Sequence, residues 1–171
     1  SQPSVSYGSV VSHGARVLDA LAGKYRVIYR PHPLNGIIDP AYAAADAALR
    51  AKADRVDTDL PLAQSFADAD LLITDVSAVT LNWLPTTKPL LVCRPSVPIP
   101  PSRLMAALPL LEADSEVGAQ VANHLKTDPS KAARIELIEY YLGDTSPGVA
   151  TARFLTACSQ TIELRDRLWA E

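Results

Sequence analysis

Thr74, Asp75 and Ser77 stand together in Ile73-Thr74-Asp75-Val76-Ser77-Ala78-Val79, where an apolar run gives way to a helical pattern. A serine at such a junction can cap the helix, and the unbonded N–H groups of the first turn carry a partial positive charge. A phosphate placed there would meet those N–H groups, around Ala78, and the Ser77 hydroxyl. The same residues also suit a plain junction, with Ser77 as N-cap and Asp75 as turn former. A second segment, Arg30-Pro31-His32-Pro33, holds an imidazole between two prolines that fix its backbone. Such a histidine can donate to a diphosphate or act as general acid on its leaving oxygen, with Arg30 as a neighbouring cation. It can equally be structural. A third segment, Gly143-Asp144-Thr145-Ser146-Pro147-Gly148, reads as a turn before a helix. Gly148 there would let a ligand approach the backbone, or the stretch is an ordinary interhelical loop.

The elements that would position these residues follow from periodicity. Residues 1–12 read as a loop and 13–22 as a helix, with Val17, Leu18 and Leu21 on one face and Gly23 as its stop. Tyr25–Tyr29 reads as a strand ended by the prolines, and the Ala-rich stretch 41–53 as a helix. Val56-Asp57 suggests a very short strand and 61–68 a short helix. Leu71–Thr74 and Leu90–Cys93 are continuous apolar runs of the kind parallel strands show when covered on both faces. A helix over 77–84 lies between them and stops at Pro85. Residues 94–109 hold five prolines and read as a long rigid loop. Three helices, marked by Val117/Val121/Leu125, Ile135/Ile138/Leu142 and Phe154/Leu155/Cys158/Ile162, are expected to close the domain. Alternating strands and helices predict an α/β fold, an open parallel sheet with helices on both faces. Ligands of such sheets bind beyond the carboxyl ends of the strands, which is where Arg30, His32, Thr74, Asp75 and Ser77 fall.

Bulk composition narrows the function classes. At 171 residues with 48% hydrophobic and 20% charged residues, the chain suits one folded domain. A net charge of −3 supplies no basic field for nucleic acid or anionic lipid. Cys93 and Cys158 are too far apart for a metal knuckle and read as two reduced core thiols. No metal and no cofactor is expected. Trp83 reads as core, and His13 and His124 receive no role. The sequence contains no Gly-x-Ser-x-Gly, His-Glu-x-x-His, Gly-x-Gly-x-x-Gly or P-loop. No run approaches bilayer-spanning length, and Ser1-Gln2-Pro3 does not open a signal peptide.

Taken in order, Arg30-Pro31-His32-Pro33, then Ala69-Asp70-Leu71-Leu72-Ile73-Thr74-Asp75-Val76-Ser77, then Lys88-Pro89-Leu90-Leu91-Val92 are similar to the nucleotide-binding half of the CDP-glycerol glycerophosphotransferase family. Tyr140-Tyr141-Leu142-Gly143-Asp144 through Gly148 to Ala152-Arg153-Phe154 resembles that family's closing segment, particularly in actinobacterial members. The resemblance spans roughly residues 5–160. It implies a GT-B-like architecture of two Rossmann-like halves. By that resemblance this chain would be the C-terminal, donor-binding half, cut from a longer protein whose acceptor half and first strand lie upstream. The implied activity is transfer of glycerol phosphate from CDP-glycerol to a teichoic-acid-like polymer. A polymeric or lipid-linked acceptor would be held by the missing half, at the cytoplasmic face of the membrane with peripheral attachment. By the same resemblance His32 would contact the donor diphosphate and assist departure of CMP. Ser77 and the helix N-terminus would hold phosphate, and Asp75 would shape the turn. The family often has a second serine where this chain has Ala78, and an acidic residue where Asn82 stands. Two alternatives therefore stay open: a nucleotide-sugar glycosyltransferase or 2-epimerase on the same architecture, and a non-catalytic docking module in envelope assembly.

Overall fold

The computed structural model describes residues 6–37, 39–112 and 116–170. The chain is a mixed α/β protein with two small open parallel sheets and helices around them. Helix α1 (Ala15–Leu21) is preceded by a π-helical turn over Val10–Gly14, in which the N–H groups of His13 and Gly14 both donate to the Ser9 carbonyl at 2.8 and 2.9 Å. Part of the expected 1–12 loop is therefore helical. Strand β1 (Ile28–Tyr29) pairs in parallel with β2 (Arg55–Val56), and α2 (Pro40–Lys52) connects them. The start of α2 is set by Asp39, whose carboxylate accepts from the Ala41 N–H at 2.9 Å, and by Pro40, whose missing N–H costs nothing in the first turn.

Helix α3 (Leu62–Asp68) leads into β3 (Leu72–Thr74), and α4 (Val79–Trp83) leads on to β4 (Leu90–Cys93). Strands β3, β4 and β5 (Leu110–Leu111) form a parallel sheet in that order, with Ile73 opposite Leu91 and Val92 opposite Leu110. The central strand β4 is buried along its whole length. Successive side chains point to opposite faces. Leu91 and Cys93 pack with Val17 and Leu21 of α1 and with Val117 and Val121 of α6 (Val117–Thr127). Leu90 and Val92 pack with Phe66, Trp83, Leu84 and Leu137 of α7 (Lys131–Tyr141). Helices thus cover both faces, which explains why the β4 sequence is apolar throughout. A third cluster, Val10, Leu18, Tyr42 and Leu49, joins α1 to α2 beside β1.

Four expectations need correction. The 94–109 loop contains helix α5 (Arg103–Ala107), whose N-cap Ser102 accepts from the Met105 N–H at 3.2 Å, and β5 follows directly. Flanking prolines disguised both. The helix expected over 77–84 begins only at Val79 and runs on past Pro85 as a 3₁₀ turn over Leu84–Thr86. Proline is tolerated there because it sits in the first turn of the new segment. The terminal helix α8 (Val149–Trp169) does not close the domain: no residue of it is buried, and Phe154, Leu155 and Ile162 are exposed. Cys158 on that helix is consequently only half-buried, whereas Cys93 is a core thiol as expected. Among the described residues, no helix is long and apolar enough to cross a membrane.

Candidate functional site at the strand ends

Beyond Tyr29 the chain cannot extend β1, because Pro31 and Pro33 lack the N–H a ladder needs. It turns instead, with the Asn35 N–H donating to the His32 carbonyl at 2.9 Å and the Leu34 N–H donating to His32 Nδ1 at 3.1 Å. Because Nδ1 accepts, the proton of the neutral ring sits on Nε2, leaving that nitrogen as a donor. Asp46 on α2 anchors this loop: it accepts from Asn35 Nδ2 at 2.9 Å, from the Tyr29 hydroxyl, and from Arg50 Nε at 2.6 Å. Burial alone would raise the Asp46 carboxyl. The hydrogen bonds from Arg50, Tyr29 and Asn35 outweigh it and hold the group below the usual carboxylate range. The same burial, with Asp46 alongside, pushes the Tyr29 phenol up.

At the end of β3, buried Thr74 is followed by Asp75, Val76 and Ser77. The Ser77 carbonyl accepts from the Thr80 N–H at 3.2 Å, but its hydroxyl makes no cap. Ala78 occupies the N-cap position of α4 instead, so the expected capping role of Ser77 is not realised. Ser77 Oγ is fully enclosed and has no hydrogen-bond partner. It lies close enough to the Asp75 carboxyl to favour its charged form, without reaching hydrogen-bond geometry. Burial dominates at Asp75 and raises its carboxyl. The Ser9 and Asp75 backbone N–H groups, the Ser77 hydroxyl and the nearby His32 side chain oppose that shift.

The structure brings the two segments together. Arg30, His32, Thr74, Asp75, Ser77 and Ala78 all line one cleft of about 990 Å³ that runs between β1 and β3. Arg30 is partly committed: it donates to Ser65 Oγ at 3.0 Å, and Ser65 in turn donates to Asp57 at 2.7 Å, a carboxylate also paired with Arg55 at 2.8 Å. That chain of bonds fixes the guanidinium on the β2 side. Gly148 does not join the cluster. It stands at the N-terminus of α8 with φ 84°, a left-handed backbone that explains the glycine without a ligand.

Several residues of the site carry no sequence signal that singles them out. Ser9, in the turn before α1, bears on both Asp75 and Cys93. Burial, with Asp75 alongside, pushes the Cys93 thiol up to about 12, so it is inert as a nucleophile at neutral pH. Tyr42 is buried, and its phenol is raised by burial and by the Asp75 charge. His13 is enclosed in the same cleft, with Ser12 Oγ 2.8 Å from Nδ1. Burial, with Arg16 nearby, lowers its pKa. Asp46, which anchors the His32 loop from α2, carries a readable hint, an Asp-to-Arg50 pairing one helical turn apart. Among the described residues, no group of three or more His, Cys, Asp or Glu side chains is placed to hold a metal ion. Comparison of the chain with protein-family models, curated proteins and solved structures finds no match.

The chemistry available at the strand ends is therefore compact. It comprises an imidazole N–H, a carboxyl raised by burial, an unpartnered hydroxyl and the N–H groups of the α4 first turn. This set can bind and polarise an oxyanion and can hold or pass a proton. It contains no activated nucleophile.

Proposed function

We propose that the chain is a Rossmann-like, GT-B-type donor-nucleotide-binding domain of a glycerophosphotransferase acting on CDP-glycerol. The observation that carries this reading is the buried, unpartnered Ser77 hydroxyl, set in one cleft with His32 and Asp75 beyond the ends of two parallel strands. Buried polar atoms are nearly always satisfied, so an orphan hydroxyl on a residue that lines a cleft is suited to a ligand that completes it. A diphosphate does so as acceptor, and the position agrees with the strand-end rule for open α/β sheets. In this reading Nε2–H of His32 donates to the diphosphate and stabilises the charge that grows on CMP as it leaves. The N–H groups of Ala78 and Val79 lie in the first turn of α4, where a helix offers no internal acceptor, and they add donors to the same oxyanion. Asp75 lies within electrostatic range of His32, while Arg30 acts through Ser65 as a scaffold more than as a phosphate ligand. The acceptor hydroxyl, its general base and attachment to the membrane face belong to the remainder of the enzyme.

Amide chemical-shift titration with CDP-glycerol, CMP and UDP-glucose tests the reading. Shifts at His32, Ser77 and Ala78 that are larger for the cytidine ligands support it. Stronger response to UDP-glucose reassigns the domain to a nucleotide-sugar enzyme. No response to any nucleotide at millimolar concentration leaves a docking module.

A further inference from the structure

Asn35 closes the turn that begins at His32. Its N–H donates to the His32 carbonyl at 2.9 Å, which by the geometry of a β-turn keeps the two α-carbons within about 7 Å. Both residues line the cleft between β1 and β3. The orientation of the Asn35 amide is set by its partner. Asp46 is ionised and can only accept, so the Asn35 atom 2.9 Å from it must be the donor Nδ2. Tyr29 and Arg50 donate to the same carboxylate and hold it in place. Oδ1 is thereby fixed on the side of the amide away from Asp46. Among the described residues it has no hydrogen-bond partner, although it is fully enclosed.

Enclosed acceptors without a donor are rare. The Ser77 hydroxyl is orphaned in the same cleft, but the two atoms differ in what can complete them. The Ser77 hydroxyl, His32 Nε2 and the N–H groups of the α4 first turn offer protons, which an oxyanion takes. Asn35 Oδ1 offers only lone pairs, and an ionised phosphate has no proton to give it. A ligand that satisfies both must carry a donor close to its phosphate. Because Oδ1 is shut off from solvent, such a ligand must also shift the turn slightly, and the turn is lightly held. Leu34 and Ile37, on either side of Asn35, leave 37% and 68% of their surface exposed, so little apolar burial fixes them. What holds the turn is the bond to Asp46 and the close seating of Gly36 on α2. A Cβ at Gly36, where φ is 76°, would come within 2.6 Å of the Ala43 Cβ.

We propose that Asn35 is a specificity-determining residue of this site, its Oδ1 accepting a hydrogen bond from a ligand hydroxyl that neighbours the phosphate bound by His32. The site then selects phosphate esters with a hydroxyl within a few bonds of the phosphate, and disfavours esters that lack one. A site that pairs a buried polar group with a substrate hydroxyl discriminates in this way. The proposal rests on the oxyanion reading of the strand ends, and it does not depend on which nucleotide, if any, the ligand carries.

The test titrates the isotopically labelled 171-residue chain with glycerol 3-phosphate and with propyl phosphate, which share charge and carbon skeleton and differ in their hydroxyls. Both should shift the His32 and Ser77 signals, with glycerol phosphate binding about tenfold more tightly, the worth of one good hydrogen bond. The Asn35 side-chain carbonyl carbon should move with glycerol phosphate alone. In Asn35→Ala the preference should fall to about twofold or less, with propyl phosphate still bound. Equal affinity of the two esters in the parent chain overturns the proposal, as does an Asn35 carbonyl that responds equally to both. Those two readings need no variant. Equal weakening of both esters by Asn35→Ala would mean that Asn35 only holds the turn, and also overturns it, as does failure of either ester to reach His32. CDP-glycerol, titrated in parallel, separates this idea from the nucleotide reading. Binding of CDP-glycerol without a preference between the esters sinks only the role of Asn35. A clear preference with no response to CDP-glycerol upholds Asn35 and sinks only the nucleotide.

Discussion

Lys88 shows how much of the site's support comes from a residue far from it in the chain. Its ammonium donates to the carbonyls of Phe66, Ala67 and Ala69 at 3.1, 3.1 and 2.6 Å. These are the groups that a helix leaves unpaired at its C-terminus, and a cation there also meets the negative end of the α3 dipole. The same side chain lies 5.9 Å from the Trp83 ring centroid, and the Trp83 indole N–H donates to the Lys88 and Pro89 carbonyls at 3.1 Å each. One residue thus ties the end of α3, the start of β3 and the strand β4 to the helix that follows Ser77. Lys88→Met keeps the aliphatic stem but removes all three bonds. A net hydrogen bond to a charged group contributes about 1.5–3 kcal/mol, but three acceptors sharing one half-buried ammonium do not add. The expected loss is about 2–3 kcal/mol, measured as a change in urea midpoint at constant slope. For a chain of this size that is a fall in Tm of about 5–10 °C. A loss below about 0.5 kcal/mol, the range of an ordinary surface change, would refute the reasoning and mean that water replaces the ammonium at no cost.

Other outcomes follow from the same contacts. Asp75 has its carboxyl raised in the folded state, so the native protein binds a proton more tightly there than the unfolded chain does. Stability from this group is full below the unfolded carboxylate pKa and is lost as pH rises through the folded value. Asp75→Asn should therefore match the parent in Tm at pH 3 and exceed it at pH 8. A variant that is less stable at pH 8 would contradict that sign. Ser77→Ala removes a buried hydroxyl with no partner, so Tm should hold or rise, by up to about 1 kcal/mol of stability. CDP-glycerol affinity should fall in the same protein; a loss of stability instead would mark Ser77 as structural. Deleting residues 149–171 removes a helix with no buried residue, so circular dichroism should show less helix at nearly unchanged Tm. A large fall in Tm would show that α8 packs on the domain.

What the sequence discloses about this fold depends on where the signal is local. Leu90–Cys93 was readable as a covered parallel strand because both its faces meet helices, which removes polar residues from it. Helix α2 was readable from its alanine content, as a helix over 41–53. The strand β5 and helix α5 were not, since each is short and proline-flanked and owes its existence to pairing with β4 and packing against neighbours. The π turn at Val10–Gly14 carries no pattern that distinguishes it from loop. The cleft-lining residues Thr74, Asp75, Ser77 and His32 were readable as candidates because strands end visibly, at prolines or at polar residues after an apolar run. Ser9 and Tyr42 come from other elements, and only tertiary packing brings them to the cleft. Gly148 lies outside the cleft lining, and its φ of 84° is a backbone reason for glycine at a helix start.

The most direct measurement of the central claim is the imidazole nitrogen spectrum of His32 during addition of CDP-glycerol to the uniformly labelled chain. The account predicts that Nε2 stays protonated and shifts with saturation, that the Ser77 amide moves in step, and that His32→Ala weakens binding without lowering Tm. His32 nitrogens that do not move at millimolar CDP-glycerol, or an affinity indifferent to both His32→Ala and Ser77→Ala, would contradict it.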